Sequence, residues 1–229
     1  MIGWKEMLLR TPVIGGVARV AASWRSRWTF RNSSDYWETR YARGGNSGDG
    51  SYGRLAQFKA ELLNDFVARQ QIRTVVELGC GDGEQLRLAS YPRYLGVDVS
   101  HSAVALCQQK FARDTSKSFL LASEFEPTNA AHQAEFALSL DVIYHLVEDT
   151  IFNQYMGQLF AAAQRYVAIY SSNHEETVAS AHVRHRRFSD WIAARQPAWR
   201  LLKMIPNRYP VQAGERETSH ADMYLWERC

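Results

Sequence analysis

Cysteine is scarce. Cys80, Cys107 and Cys229 are the whole complement of the 229 residues, and no two stand at a metal-binding or redox spacing. An odd count argues against a disulfide framework and for a reducing compartment. No internal repeat or low-complexity tract is visible. A large net charge is also missing. The total is +3, yet residues 1–31 alone carry six cations against Glu6, a surplus of +5, so the remainder is −2. A mildly acidic body does not offer a basic nucleic-acid surface, so nucleic acid is not an expected partner. The hydrophobic share of 46% is ordinary and suits one α/β domain with appendages.

The basic segment interleaves its arginines with Trp4, Leu8, Leu9, Val13, Ile14, Val17, Val20, Trp24 and Trp28. Its apolar runs are too short to span a bilayer. It lacks the clear cleavage site of a secretory signal. Two readings stay open for residues 1–32. One is an in-plane amphipathic anchor on anionic lipid, which implies a peripheral protein at the inner face of the membrane. The other is a helix packed on its own domain or on a second subunit, as in a homodimer.

The segment from Val75 to Leu86 reads V-V-E-L-G-C-G-D-G-E-Q-L. A buried strand ending at Leu78 would run into Gly79, Gly81 and Gly83, and a helix near residues 84–90 would follow. Strand, glycine loop and helix make the nucleotide crevice of an open α/β sheet. The spacing G-x-G-x-G is not the dinucleotide G-x-G-x-x-G. Carboxylates Glu77 and Asp82 flank the turn and suit an ammonium or sulfonium group better than a pyrophosphate. A second strand ends in Asp98, placed to accept hydrogen bonds from ribose hydroxyls.

On these residues the chain resembles the class I S-adenosylmethionine-dependent methyltransferases. E-L-G-C-G-D-G is similar to the first motif of that family and L-G-V-D-V-S to the second. L-A-S-E-F, Leu121 to Phe125, stands where the third motif flanks the adenine. S-L-D-V-I-Y-H-L, Ser139 to Leu146, resembles the fourth. The resemblance covers residues 33–229. It implies a Rossmann-like, doubly wound, mostly parallel seven-stranded sheet with a C-terminal antiparallel hairpin. It implies S-adenosylmethionine as cofactor and S-adenosylhomocysteine as product. The cofactor positions it implies are Glu77, Gly79, Gly81, Gly83, Asp98, Val99, Ser123, Glu124 and Asp141. Residues 33–53 would form a lid that contributes Tyr36 and Tyr41.

Hydrophobic periodicity agrees with that fold. Strands are expected near residues 73–78, 94–98, 117–122, 135–140, 166–171, 199–205 and 222–226. Helices are expected near 33–43, capped by Ser33 or Ser34, and near 54–69, 101–112, 149–163 and 187–195. The glycine-dense stretch 44–53 reads as a loop. It lacks the Lys-Ser/Thr ending of a phosphate-binding loop. No helix is expected between the last two strands.

Methyl transfer needs an acceptor held in line and, for a hydroxyl, removal of a proton. His145 is the candidate base, with Asp141 orienting it or contacting the cofactor. After the fifth strand comes S-S-N-H-E-E-T-V-A-S-A-H-V-R-H-R-R-F. His174, His182, Arg184 and His185 there, with Tyr144, are candidates for acceptor binding. His182 and His185 would share a face if helical. Arginine forks match anions. A metal site with His174 finds no supporting carboxylate–histidine spacing in the sequence, so none is expected.

The fourth motif is D-V-I-Y, not the N-P-P-Y of adenine and glutamine methylation, and there is no Pro-Cys pair for attack on cytosine. The paired-glutamate loop of arginine methyltransferases is missing too. The expected activity is O-methylation of a sugar, glycan terminus or small hydroxylated anionic acceptor in polysaccharide biosynthesis, in the cytoplasm. Methylation of a small amine is the alternative. A non-catalytic scaffold in a membrane glycan-assembly complex is the reading from another class.

Overall fold

The computed structural model describes residues 32–229 except Thr177 and Ala179. The expectations for the N-terminal segment fall outside these residues. Helix α1 (Ser33–Ala42) leads into a glycine-rich loop with one 3₁₀ turn (Asp49–Ser51) and then helix α2 (Gly53–Arg69). Strand β1 (Thr74–Leu78), β2 (Arg93–Asp98), helix α3 (His101–Lys110), β3 (Lys117–Leu121) and β4 (Ala134–Leu140) follow. Helix α4 (Asp149–Ala162), β5 (Ala163–Ser171), helix α5 (Phe188–Arg195), β6 (Trp199–Ile205) and β7 (Asp222–Arg228) complete the described chain.

The sheet has seven strands in the order β3-β2-β1-β4-β5-β7-β6. β1 to β5 are parallel, and β7 runs antiparallel between β5 and β6. This is the expected Rossmann-like sheet with a C-terminal hairpin. Alternate residues of the central strands feed opposite faces, as strand geometry demands. Val75, Phe136, Leu138 and Ala168 enter one core, with Phe58, Leu63 and Val67 of α2. Val76, Ala137, Val167 and Ile169 enter the other, with Met156 and Leu159 of α4 and Ile192 of α5. Helices on both faces leave the central strands β1, β4 and β5 mostly covered and hence largely apolar.

Two local expectations are corrected. The helix after the glycine loop is a single 3₁₀ turn, Gln85–Leu88, and the chain turns extended at Ala89. The cap of α1 is Asn32, whose side-chain oxygen accepts from the Asp35 N–H at 2.7 Å. Ser33 is instead buried, with its N–H donating to Glu148 Oε1 at 3.0 Å.

The strand order reverses between β1 and β4. Beside that point, at the carboxyl ends of the parallel strands, lies the crevice where open α/β sheets bind ligands.

Candidate active site

A cavity of about 210 Å³ opens there. Its floor is the tips of β1 and β2, from Glu77 to Gly81 and from Val97 to Val99. Ala122 and Phe125 close one side; Asp141, Val142 and His145 close the other. Trp37 and Tyr41 of α1 and Ser47 of the glycine-rich loop form the roof.

The turn after β1 fits only glycine at its contact points. Gly79 and Gly81 have φ of +86° and +59°. A Cβ on Gly79 would stand 2.4 Å from Val142 Cγ2, and one on Gly81 2.3 Å from Ser47 Oγ. Gly83 faces Phe111 and Cys107 instead and is not part of the cavity wall.

Three carboxylates line the cavity, and Lys59 is the one lysine or arginine among its described lining residues. Glu77 accepts from the Tyr94 hydroxyl at 2.7 Å. Burial pushes its carboxyl up to about 7, with the Tyr94 bond and Lys59 acting in the other direction. Asp98 accepts from the N–H groups of Gly81 and Ser100, both at 2.9 Å. Burial still pushes it up to about 6. Asp141 sits at φ +60°, a left-handed conformation that non-glycine residues rarely adopt. Its Oδ2 takes Lys59 Nζ at 2.5 Å and its Oδ1 takes the Tyr144 hydroxyl at 2.7 Å.

Of its two expected roles, Asp141 therefore does not orient His145, while its place on the cavity wall leaves the role of a cofactor contact open to it. The His145 imidazole donates from Nδ1 to the His182 carbonyl at 3.0 Å. In the neutral ring that leaves Nε2 as an acceptor. Burial holds the imidazole down at about 4. Trp37 meets it edge-on at 5.0 Å, and the His182 ring lies parallel to it at 5.7 Å.

Asp82 does not face the cavity as a charge for a cationic ligand. It holds the roof. Its Oδ2 accepts from the Ser47 N–H at 3.0 Å and the Tyr52 hydroxyl at 2.8 Å, and its own N–H donates to Ser47 Oγ at 3.0 Å. Burial works against its charge, but these bonds and the Glu84 N–H keep it below the usual carboxylate range. Glu38 ties α1 to the start of α3, accepting from the Ser100 and Ser102 hydroxyls, each at 2.7 Å.

Of the expected cofactor residues, the structure gathers Glu77, Gly79, Gly81, Asp98, Val99, Asp141 and Tyr41 on one cavity. Ser123 and Glu124 point to solvent, and their neighbours Ala122 and Phe125 line the wall in their place. Tyr36 lies off the wall, stacked on His182 at 4.3 Å. The expected acceptor residues lie around Tyr144 but outside the cavity lining. Tyr144 secures Asp141. Arg184 is occupied by the Val147 carbonyl at 3.2 Å and Asp149 at 3.1 Å, beside the buried Arg186. Through Nη1 it clamps the loop before α4. Residues 180–187 form no helix, so His182 and His185 share no helix face. His182 joins the His145 cluster and His185 joins His174.

Lys59 and Trp37 were missed. Lys59 carried a signal, because it falls on the apolar stripe of α2 between Leu55 and Leu63. A lysine there must be buried and must find a carboxylate.

Fold and cavity together define the Rossmann-like architecture of class I methyltransferases. Residues 76–169 match the family described as methyltransferase domain. Over those residues, from within β1 to within β5, the chain is similar to that family. No curated protein matches it significantly. Several solved structures share its fold. N-methyltransferase NodS from Bradyrhizobium japonicum WM9, in complex with S-adenosylhomocysteine, superposes with a TM-score of 0.62 at 14% identity, covering 86% of this chain and 98% of its own. Magnesium protoporphyrin IX methyltransferase from Synechocystis PCC 6803 gives 0.61 at 14% identity, covering 85% and 97%. The methyltransferase domain of bacterial CtHen1 gives 0.58 at 18% identity, covering 74% and 96%.

Proposed function

We propose that this protein transfers a methyl group from S-adenosylmethionine to a hydroxyl of a sugar, a glycan terminus or a related small acceptor. For the cofactor, the cavity offers a ribose acceptor in Asp98, a glycine turn without side chains, and buried carboxylates that a sulfonium or ammonium would suit. The methyl donor supplies the electrophile, so the chain's own work is to orient the acceptor, exclude water and take a proton. The observation that carries the hydroxyl reading is His145, a neutral cavity-wall imidazole whose Nδ1–H is spent on the His182 carbonyl. Its Nε2 can accept the proton as the acceptor oxygen attacks. An anionic acceptor loses support, since Arg184 is already paired.

Methylation of a small amine is the second reading. The low basicity of His145 and the carboxylate of Asp141 on the same wall favour it, because an unprotonated amine needs no base to attack.

Calorimetric titration with S-adenosylhomocysteine, with NAD as the control ligand, tests the cofactor. Labelled methyl transfer to panels of hydroxylated and amine acceptors tests the rest. Transfer confined to amines would overturn the hydroxyl reading, and no binding of S-adenosylhomocysteine would sink both.

Glycan assembly at a membrane would give the basic N-terminal segment a purpose as a peripheral anchor. Among the described residues no helix is long and apolar enough to cross a membrane. Deletion of residues 1–31 should release the protein from anionic liposomes. A full-length protein that never sediments with them has no such anchor.

A further inference from the structure

We propose that His174, Glu176 and His185 form a binding site for a divalent transition-metal ion of the zinc class, on the flank of the cavity beyond Tyr144. The sequence hides this set, because Glu176 and His185 stand nine positions apart. The fold joins them. An antiparallel bridge pairs Glu176 with His185, drawing the two ends of the segment after β5 together. His174 lies on the same side, its ring stacked on that of His185 at 4.9 Å. His220, just ahead of β7, adds a third imidazole 5.6 Å from His185.

The donor atoms suit the ion. One from each of the three residues lies within 4.8 Å of the others. Around a tetrahedral zinc, with bonds of 2.0–2.2 Å, donors stand roughly 3.3 Å apart. His174 Nε2 and Glu176 Oε2 are already at 3.0 Å. The remaining gap closes by a shift of about 1.5 Å, within reach of two side chains that are 41% and 51% exposed. His185 is buried, and its Nδ1 is 2.6 Å from Ser172 Oγ. That partner fixes the ring and leaves Nε2 for the metal, the usual arrangement of a ligating histidine with an outer hydrogen bond. Two imidazoles and one carboxylate with an open position is a donor set that zinc takes. The His185 ring lies 6.1 Å from that of Tyr144, whose hydroxyl holds Asp141. The ion would tether the segment after β5 at the edge of the active cavity.

The test uses full-length, tag-free protein stripped with a chelator and titrated with Co²⁺, then Zn²⁺. The expected result is one Co²⁺ per chain, with the visible d–d absorption of a low-symmetry site and displacement by Zn²⁺. His174→Gln and Glu176→Gln change exposed side chains and should keep the fold, checked by circular dichroism. Each should weaken binding at least about tenfold, since losing even an outer partner costs that much. Zn²⁺ should raise the melting temperature of the parent protein and of neither variant. Absence of saturable one-to-one binding, or binding that both variants retain, overturns the site.

Discussion

Lys59 and Asp141, 82 residues apart in the chain, meet at 2.5 Å on the cavity wall. Their side chains are 1% and 11% exposed. Helix α2 and the tip of β4 are thereby locked together on the cavity wall. The Lys59 ammonium also lies 5.1 Å from the centre of the Tyr170 ring, so the pair closes off the core beneath the cavity.

Removing one partner should be far worse than removing both. Lys59→Met leaves a largely buried carboxylate without its cation and should cost about 3–5 kcal/mol of stability. Lys59→Met combined with Asp141→Asn should recover much of that loss. Urea denaturation of the four proteins in a double-mutant cycle measures it. Additive losses would show that the contact carries no coupling.

Glu77 predicts a pH dependence with a definite sign. Its folded-state value of about 7 lies above the ordinary 4.5. The folded protein thus holds this proton more tightly than the unfolded chain, so stability falls as pH rises between those values. The full loss is about 3 kcal/mol. Glu77→Gln should flatten that part of the stability profile. A cationic ligand favours the ionised form, so affinity for S-adenosylmethionine should strengthen as pH rises towards 7 in the parent and less steeply in the variant, where Asp98, raised to about 6, still titrates. Calorimetry across pH 5–8 reads both.

His145, held at about 4 by burial, is neutral throughout the physiological range. The turnover profile should therefore show no inflection near 6.5. His145→Ala should lower kcat by about 10²–10⁴ for a hydroxyl acceptor while leaving S-adenosylhomocysteine affinity intact. Unchanged turnover removes His145 as the base.

Asp82 holds the roof through Ser47 and Tyr52, so its effect should fall on exchange of the cofactor. Asp82→Ala, or the milder Tyr52→Phe, should speed dissociation of S-adenosylhomocysteine and raise amide exchange across residues 44–53. A hydrogen bond to a charged group contributes about 1.5–3 kcal/mol, which bounds the change for Tyr52→Phe at roughly 10- to 100-fold. Equal dissociation rates in parent and variants would mean that the roof does not control exchange.

What the sequence determined by itself was local. The seven strands follow from apolar runs of fixed length, and the hairpin from two runs with no helix between them. Gly79, Gly81 and Asp98 announce a nucleotide crevice because backbone conformation and strand-end position belong to neighbouring residues. Two local features differ: the helix expected after the glycine loop closes only one 3₁₀ turn at Gln85–Leu88, and Asn32 rather than Ser33 or Ser34 caps α1.

The tertiary structure alone decided the partners. Asp141 belongs to Lys59 and Tyr144 rather than His145, and Asp82 to the roof rather than the ligand. Arg184 belongs to Asp149, and Glu176 to His174. Charged side chains are long and select whatever partner the packed fold brings within about 3 Å. Periodicity along the chain carries no record of those distances, which arise only when the helices and loops settle on the sheet.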